Sequence, residues 1–179
     1  MSIATSTQPA LADMNLWFQV QTFLHLEARL LDDHKLDEWV ALFDEDLRYW
    51  MPLVTNRTGR DTGKEISLFG EVAHFDDDKT SLSNRVKRLS TGMAWSETPA
   101  SRTRHLITNV EVMAQNGDGT LQVRSNFLVY RSHLEYDFEL FSGARHDSLR
   151  PADGSWKIFR RDILLDQAVV TQKNLGIFF

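Results

Sequence analysis

The hydrophobic periodicity of this chain changes near Gly92, and that change constrains the fold more than any other feature of the sequence. Before Gly92, apolar residues such as Leu16, Val20 and Phe23 recur mostly at the spacing of one helix face. After Gly92 they alternate with a period of two, which is the pattern of strands. Helices followed by strands predict a segregated α+β domain, with an antiparallel sheet curled around the N-terminal helices.

Three helices are predicted in the first half of the chain. The first spans about Asn15 to Leu31, a shorter second helix follows it, and the third spans about Asp77 to Ser90. The acidic run 76–78 lies at the start of the third helix, where one carboxylate can cap the helix and the others face the positive end of its dipole. Capping is therefore predicted for this run rather than a divalent cation site.

Strands separated by turns are predicted from Arg102 to Asp166. The turns fall at 116–119 and 151–154, where Asn, Asp and Gly tolerate positive φ. A strand-like aromatic run at 48–51 comes earlier, and Pro52 confines it to a sheet edge or a strand end. Because several strands carry large apolar groups on both faces, one sheet face is expected to need a second cover or a partner chain.

Length and charge exclude several classes of protein. A chain of 179 residues suits one domain, expected at 13–179 after a flexible polar arm at 1–12. With a formal net charge of −5, it offers no broad positive field for nucleic acid. No apolar run approaches the ~20 residues that span a bilayer, and the first residues lack a targeting pattern, so no membrane association and a cytoplasmic location are predicted.

The absence of cysteine is the strongest statement that composition makes. It excludes disulfides, cysteine-bearing zinc sites and every iron–sulfur cluster bound by cysteine. A Rieske centre needs two Cys and two His, so this polypeptide cannot carry one by itself. Six histidines are present without an HxxxH pair, and satisfied or solvated imidazoles are expected rather than metal ligands.

Eight stretches of the chain have residue types in a distinctive order and spacing, at 27–32, 48–52, 75–79, 85–89, 95–105, 125–131, 163–168 and 174–179. In that order and spacing they resemble the small (β) subunits of bacterial aromatic-ring-hydroxylating dioxygenases. The resemblance extends from about Trp17 to the C-terminal residue.

The resemblance implies a cystatin-like or NTF2-like cone and a non-catalytic structural subunit without catalytic, cofactor-binding or metal-binding residues of its own. In that family the large (α) subunit holds the Rieske [2Fe–2S] cluster and the mononuclear Fe(II). The complex cis-dihydroxylates an aromatic compound with O2 and with electrons from NADH, delivered by a reductase and often a ferredoxin. The implied partners are the α subunit, in an α3β3 hetero-oligomer, and other copies of the β subunit.

Six residues are candidates for a subunit interface or a structural network rather than for catalysis. Arg102, Arg104 and His105 follow Pro99 at the mouth of the first long strand, where guanidinium groups can clamp carboxylates. Trp95 lies in the same matching stretch, and Phe178 and Phe179 are too apolar for a frayed tail. The two phenylalanines are expected to be buried, either against this chain's own sheet or between subunits.

Two other classes of function fit a cone fold. One is a stand-alone dehydratase or isomerase with an acid/base site inside the cone, for which Asp46, Tyr49, His105 and Asp162 are the candidates. The other is a binding or adaptor module. An enzyme needs an open apolar pocket with converging polar groups, whereas the five Trp and eleven Phe of this chain predict a filled cone.

Overall fold

A computed structural model describes residues 13–54, 67, 72–90, 100–135, 137–167 and 176–179. The predicted arm at 1–12 and Trp95 lie outside the described residues. In the described part, the helices and strands are α1 (Met14–Asp32), α2 (Leu36–Val40), β1 (Phe43–Pro52), β2 (Ala73–Asp77), α3 (Lys79–Ser90), β3 (Arg102–Gln115), β4 (Leu121–His133), β5 (Asp137–Ala152) and β6 (Ser155–Leu165).

Helix α1 forms because its apolar residues share one face and its first turn is capped. The carboxylate of Asp13 accepts a hydrogen bond from the amide of Asn15 at 3.2 Å. The buried face packs on β3, and the indole of Trp17 donates to the carbonyl oxygen of Val110 at 2.9 Å. None of the described helices is both long and apolar enough to cross a membrane.

The six strands form one open sheet in the order β2-β1-β6-β5-β4-β3. The predicted α+β class, with N-terminal helices on one sheet, is confirmed. The sheet is mixed rather than purely antiparallel, because β1 pairs in parallel with β6. Parallel strands need a long connection, because a tight hairpin can join only antiparallel strands. More than a hundred residues separate β1 from β6, so the chain provides such a connection. Pro52 ends β1, as predicted, although β1 has a neighbour on each side.

The third helix begins two residues later than predicted. Asp76 and Asp77 belong to the short strand β2, where they pair with Trp50 and Tyr49 of β1. The carboxylate of Asp78 accepts from the amide of Ser81 at 2.7 Å, so capping by the acidic run is confirmed. The sequence does not predict β2, because this strand has only five residues and no alternation of apolar with polar side chains.

The predicted turns connect β3 to β4 and β5 to β6. At the second, Asp153 and Gly154 both have positive φ, 48° and 73°. Two such residues in a two-residue loop match the right-handed twist of an antiparallel pair, so this turn fixes the register of β5 against β6.

Candidate functional site

A network of four fully buried charged residues lies between α1 and the inner face of the sheet. Arg161 on β6 donates to both carboxylate oxygens of Glu27 on α1, and it donates to both oxygens of Asp147 on β5 at 2.8 and 3.0 Å. Arg145 on β5 lies 3.2 Å from Glu27, and the indole of Trp39 donates to the same carboxylate at 3.1 Å. Two carboxylates thus face two guanidinium groups.

The network sets the ionisation of its members. Burial raises the pKa of Glu27, but Arg161 and Arg145 outweigh that effect and lower the pKa from 4.5 to about 2. Burial alone would lower the pKa of Arg161. The negative charges of Asp147 and Glu27 outweigh burial, so the pKa of Arg161 is raised well above its ordinary value. For Arg145, burial and the neighbouring Arg161 lower the pKa. The network therefore binds α1 to the sheet as charged, mutually neutralising groups.

The segment 176–179 enters the same interior. Phe178 packs against Trp39 with ring centroids 4.6 Å apart, and Phe179 packs between Phe127 and Phe141, with 5.4 Å between centroids in each case. Phe178 and Phe179 are 4 and 1% exposed. The amide of Phe179 donates to the Tyr49 hydroxyl at 2.9 Å, and that hydroxyl donates to the Phe179 carbonyl oxygen at 3.0 Å. The cone interior is therefore filled by this chain's own aromatic residues.

His105 and Arg104 meet around the carboxylate of Asp32, the last residue of α1. The His105 ring lies 2.6 Å from Asp32 through Nδ1 and 3.0 Å from the Phe178 carbonyl oxygen through Nε2. Arg104 reaches the same carboxylate at 3.5 Å, while its side chain is largely exposed. Arg102 is exposed at the start of β3. The structure therefore brings Arg104, His105 and Phe178 into one cluster and leaves Arg102 apart from it.

The four residues considered for an acid/base site do not converge. Asp46 is exposed and pairs with Arg150 at 3.0 Å, and Asp162 pairs with Arg160 at 2.8 Å. The inward polar atoms of Tyr49 and His105 are bonded to the 178–179 segment. Burial raises the pKa of Tyr49 even though Arg161 and Arg85 act to lower it. This geometry does not favour a dehydratase or isomerase.

A cavity of about 230 Å³ remains at the mouth of the cone, between α2, α3, β3 and the segment 176–178. Its polar wall includes Ser101 and Arg131, whose side chains are 3.0 Å apart, and Arg131 also pairs with Glu139 at 2.8 Å. Among the described residues there is no group of three or more His, Asp or Glu that could hold a metal ion.

The outer face of the sheet carries an exposed apolar surface, here called the outer patch. It consists of Leu106 on β3, Leu128 and Tyr130 on β4, and Phe138 and Leu140 on β5. Leu106 pairs with Leu128, and Tyr130 pairs with Leu140, so these side chains adjoin one another across three strands. Their exposed fractions lie between 39 and 69%. A contiguous surface of this kind is typical of an interaction site.

Sequence reasoning missed most of the buried network. Glu27 was recognisable as one acidic residue within the apolar stripe of α1. Arg145, Asp147 and Arg161 occupy inward strand positions, but their neighbours in sequence include other polar residues, and nothing local separates them from outward charges. Asp32 lies just beyond the predicted end of the first helix, and its pairing with His105 depends on residues 73 positions apart.

Comparisons with known proteins agree with one another. A family model described as the ring hydroxylating beta subunit matches residues 26–172. The benzene 1,2-dioxygenase subunit beta of Pseudomonas putida is 41% identical over 174 residues, 96% of this chain and 93% of that protein. The biphenyl 2,3-dioxygenase subunit beta of Rhodococcus jostii is 39% identical over 178 residues, 98 and 95% of the two chains. A chain of naphthalene 1,2-dioxygenase with bound indole superposes with a TM-score of 0.81 at 22% identity, covering 93% of this chain and 87% of that one.

Proposed function

This chain belongs to the family of ring-hydroxylating dioxygenase β subunits, and on that premise we propose that it is the non-catalytic structural subunit of a terminal oxygenase. It is thereby a component of an oxidoreductase. The observation that supports a structural role is the filled cone. The interior between α1 and the sheet is occupied by Trp39, Phe178, Phe179 and a charge network whose members neutralise one another.

We infer that the redox cofactors lie in the α subunit. A Rieske [2Fe–2S] cluster requires two cysteines, and this chain has none, so its residues do not fit that cluster. The described residues do not supply the two histidines and one carboxylate of a mononuclear Fe(II) site either. On this proposal the α subunit cis-dihydroxylates an aromatic compound with O2 and with electrons from NADH, through a reductase and often a ferredoxin.

The proposed assembly is an α3β3 hetero-oligomer in the cytoplasm. The outer patch supports this assembly. A partner subunit that covered its five large apolar side chains would stabilise the complex by about 25 cal/mol for each Å² of apolar surface buried. The relatives named above are subunits of benzene and biphenyl dioxygenases, which supports an aromatic substrate for the complex.

A pull-down of co-expressed subunits tests this proposal. Leu128→Asp and Leu140→Asp place charges in the outer patch, whereas Leu134→Asp places one at an exposed turn beside it. We expect the patch variants to lose the α subunit or the other β copies, and the turn variant to retain both. Unchanged assembly of both patch variants would exclude the outer patch as the subunit contact. Failure of the unmodified chain to capture an α subunit would contradict the structural role itself.

A further inference from the structure

One edge of the Arg145 guanidinium group has no acceptor among the described residues. The Nη1 atom of Arg145 lies 3.2 Å from Glu27, whereas its Nε and Nη2 atoms are buried and lack a hydrogen-bond partner in this part of the chain. On Arg161 the same two atoms donate to the two carboxylate oxygens of Asp147 at 2.8 and 3.0 Å. The edge of Arg145 is therefore a bidentate donor that no described side chain occupies.

Ser125 places another unpaired polar group beside this edge. It lies on β4 directly opposite Arg145 on β5, so the two side chains are on the same face of the sheet. The two residues are 0 and 1% exposed. The Ser125 hydroxyl is also buried without a hydrogen-bond partner among the described residues. Three polar atoms of two neighbouring residues thus lack a partner at one place in the core.

The separation of the two residues suits a single bridging atom. Directly opposed residues have Cβ atoms about 4.5–5.5 Å apart. One atom that makes two hydrogen bonds of about 2.8 Å each spans up to about 5.6 Å. A buried water makes about three hydrogen bonds, and the unpaired groups here are Nε and Nη2 of Arg145 and the Ser125 hydroxyl. One small molecule can therefore satisfy all of them.

Charge determines which kind of molecule fits. Glu27 and Asp147 already balance Arg145 and Arg161 within the buried network. An anion on the edge of Arg145 would add a third negative charge to a neutral group in the interior, which is unfavourable. The fitting molecule is neutral, accepts hydrogen bonds from the guanidinium and offers a hydrogen to the hydroxyl oxygen. Water has these properties, and larger neutral molecules exceed the span of one bridging atom.

We propose that one water molecule is bound inside the domain, where it accepts hydrogen bonds from Nε and Nη2 of Arg145 and donates one to the hydroxyl oxygen of Ser125. This water completes the charge network that joins α1 to the sheet, because it supplies the missing acceptor without adding charge. Ser125 is thereby a positioning residue for the network, although it touches none of the carboxylates through its hydroxyl.

A crystal structure of the full chain, at a resolution that shows ordered water, tests this site. One water should lie within about 3.2 Å of Nε and Nη2 of Arg145 and of the Ser125 hydroxyl oxygen. A direct hydrogen bond between Ser125 and Arg145 would overturn the proposal. So would an empty site, or a chloride ion identified there by anomalous scattering.

Replacement of Ser125 tests the site in solution. Ser125→Val fills the space of the water and removes the hydroxyl, so it should leave the Arg145 edge unpaired and lower Tm by about 2–4 °C or more. Oxygen-17 relaxation dispersion, which counts water molecules with long residence times, should show one fewer than in the unmodified chain. An unchanged count, or an unchanged or raised Tm, would overturn the proposal.

Ser148→Ala is the matched control. The Ser148 hydroxyl is buried in the same sheet but donates directly to Gln122 at 3.0 Å, so its removal should leave the count of long-lived waters unchanged. Loss of one such water in Ser148→Ala as well would show that the count does not report on the Arg145 site, and would remove the support from Ser125→Val. The crystal structure of the unmodified chain tests the proposal even if Ser125→Val does not fold.

Discussion

At the scale of single residues, Glu27 shows how this domain keeps charges in its interior. It lies on the apolar face of α1 with no exposed surface, and its carboxylate meets Arg161, Arg145 and the indole of Trp39. Isolated burial of a carboxylate would be costly, so its charge is tolerable only because partners surround it. The network is therefore stable as a unit and vulnerable to the loss of one member.

Removing one charge from this network should destabilise the domain strongly. We expect Glu27→Gln to lower the free energy of unfolding by about 3–5 kcal/mol, because it leaves a buried guanidinium uncompensated. Urea denaturation of the isolated chain measures this. Glu45→Gln is the control: Glu45 pairs with Lys79 but is 88% exposed, so its loss should cost no more than about 1 kcal/mol. Similar losses for the two variants would contradict the role given to Glu27.

The same residue predicts a dependence of stability on acid pH. The pKa of Glu27 is about 2 in the folded chain and 4.5 ordinarily, so its contribution is complete above about pH 4.5 and is lost as the pH falls toward 2. The free energy of unfolding of the unmodified chain should fall across this range. Glu27→Gln cannot titrate at this position and should show a shallower fall. Parallel curves for the two proteins would show that Glu27 does not control acid unfolding.

At the scale of elements, the periodicity of the sequence was sufficient for α1 and for strand structure over 102–166. The predicted turns separate β3 from β4 and β5 from β6, whereas the turn between β4 and β5 was not predicted. The strand β2 and the parallel pairing of β1 with β6 could not be predicted, because each depends on contacts between segments distant in sequence. The aromatic filling of the cone was expected from composition, and the burial of Phe178 and Phe179 from their apolar character, whereas the contributions of Trp39, Phe127 and Phe141 were not predicted.

The segment 176–179 behaves as a packing element although it has no regular secondary structure. Phe179→Ala should lower the free energy of unfolding by about 3–5 kcal/mol, since the ring is enclosed by Phe127 and Phe141 and leaves a cavity when removed. Phe138→Ala removes an equal side chain from the outer patch, where Phe138 is 69% exposed. It should change the stability of the isolated chain little and weaken subunit assembly instead. If Phe138→Ala destabilised the isolated chain strongly, or Phe179→Ala weakened assembly without loss of stability, the distinction between a packed interior and a contact surface would be wrong.

At the scale of the whole molecule, the domain has one sheet face covered by its own helices and aromatic residues, and the other face partly apolar and exposed. Strands with large apolar side chains on both faces predict that a second element or a partner chain covers the outer face of the sheet. Which residues form the outer patch was not predictable, because that depends on the register of β3, β4 and β5. Trp95 and Arg102 stay predictions as interface residues.

The isolated chain should have no redox chemistry of its own. After treatment with a chelator it should retain no stoichiometric iron, and it should consume no O2 in the presence of a reductant and an aromatic compound. The reason is that the chain has no cysteine for a Rieske cluster, and that its described residues hold no group that fits a mononuclear iron site. Iron analysis and an oxygen electrode provide the measurement. One iron per chain together with turnover would contradict a non-catalytic subunit.

Native mass spectrometry of the purified complex tests the central claim most directly. The chain is co-expressed with the large subunit that is proposed to bear the Rieske cluster, and the intact assembly is weighed and then dissociated in the gas phase. The structural role predicts one hetero-oligomer with equal copies of both chains, three of each in the proposed arrangement, that releases this chain free of iron. Recovery of this chain apart from the large subunit, or its release with iron bound, would contradict that role.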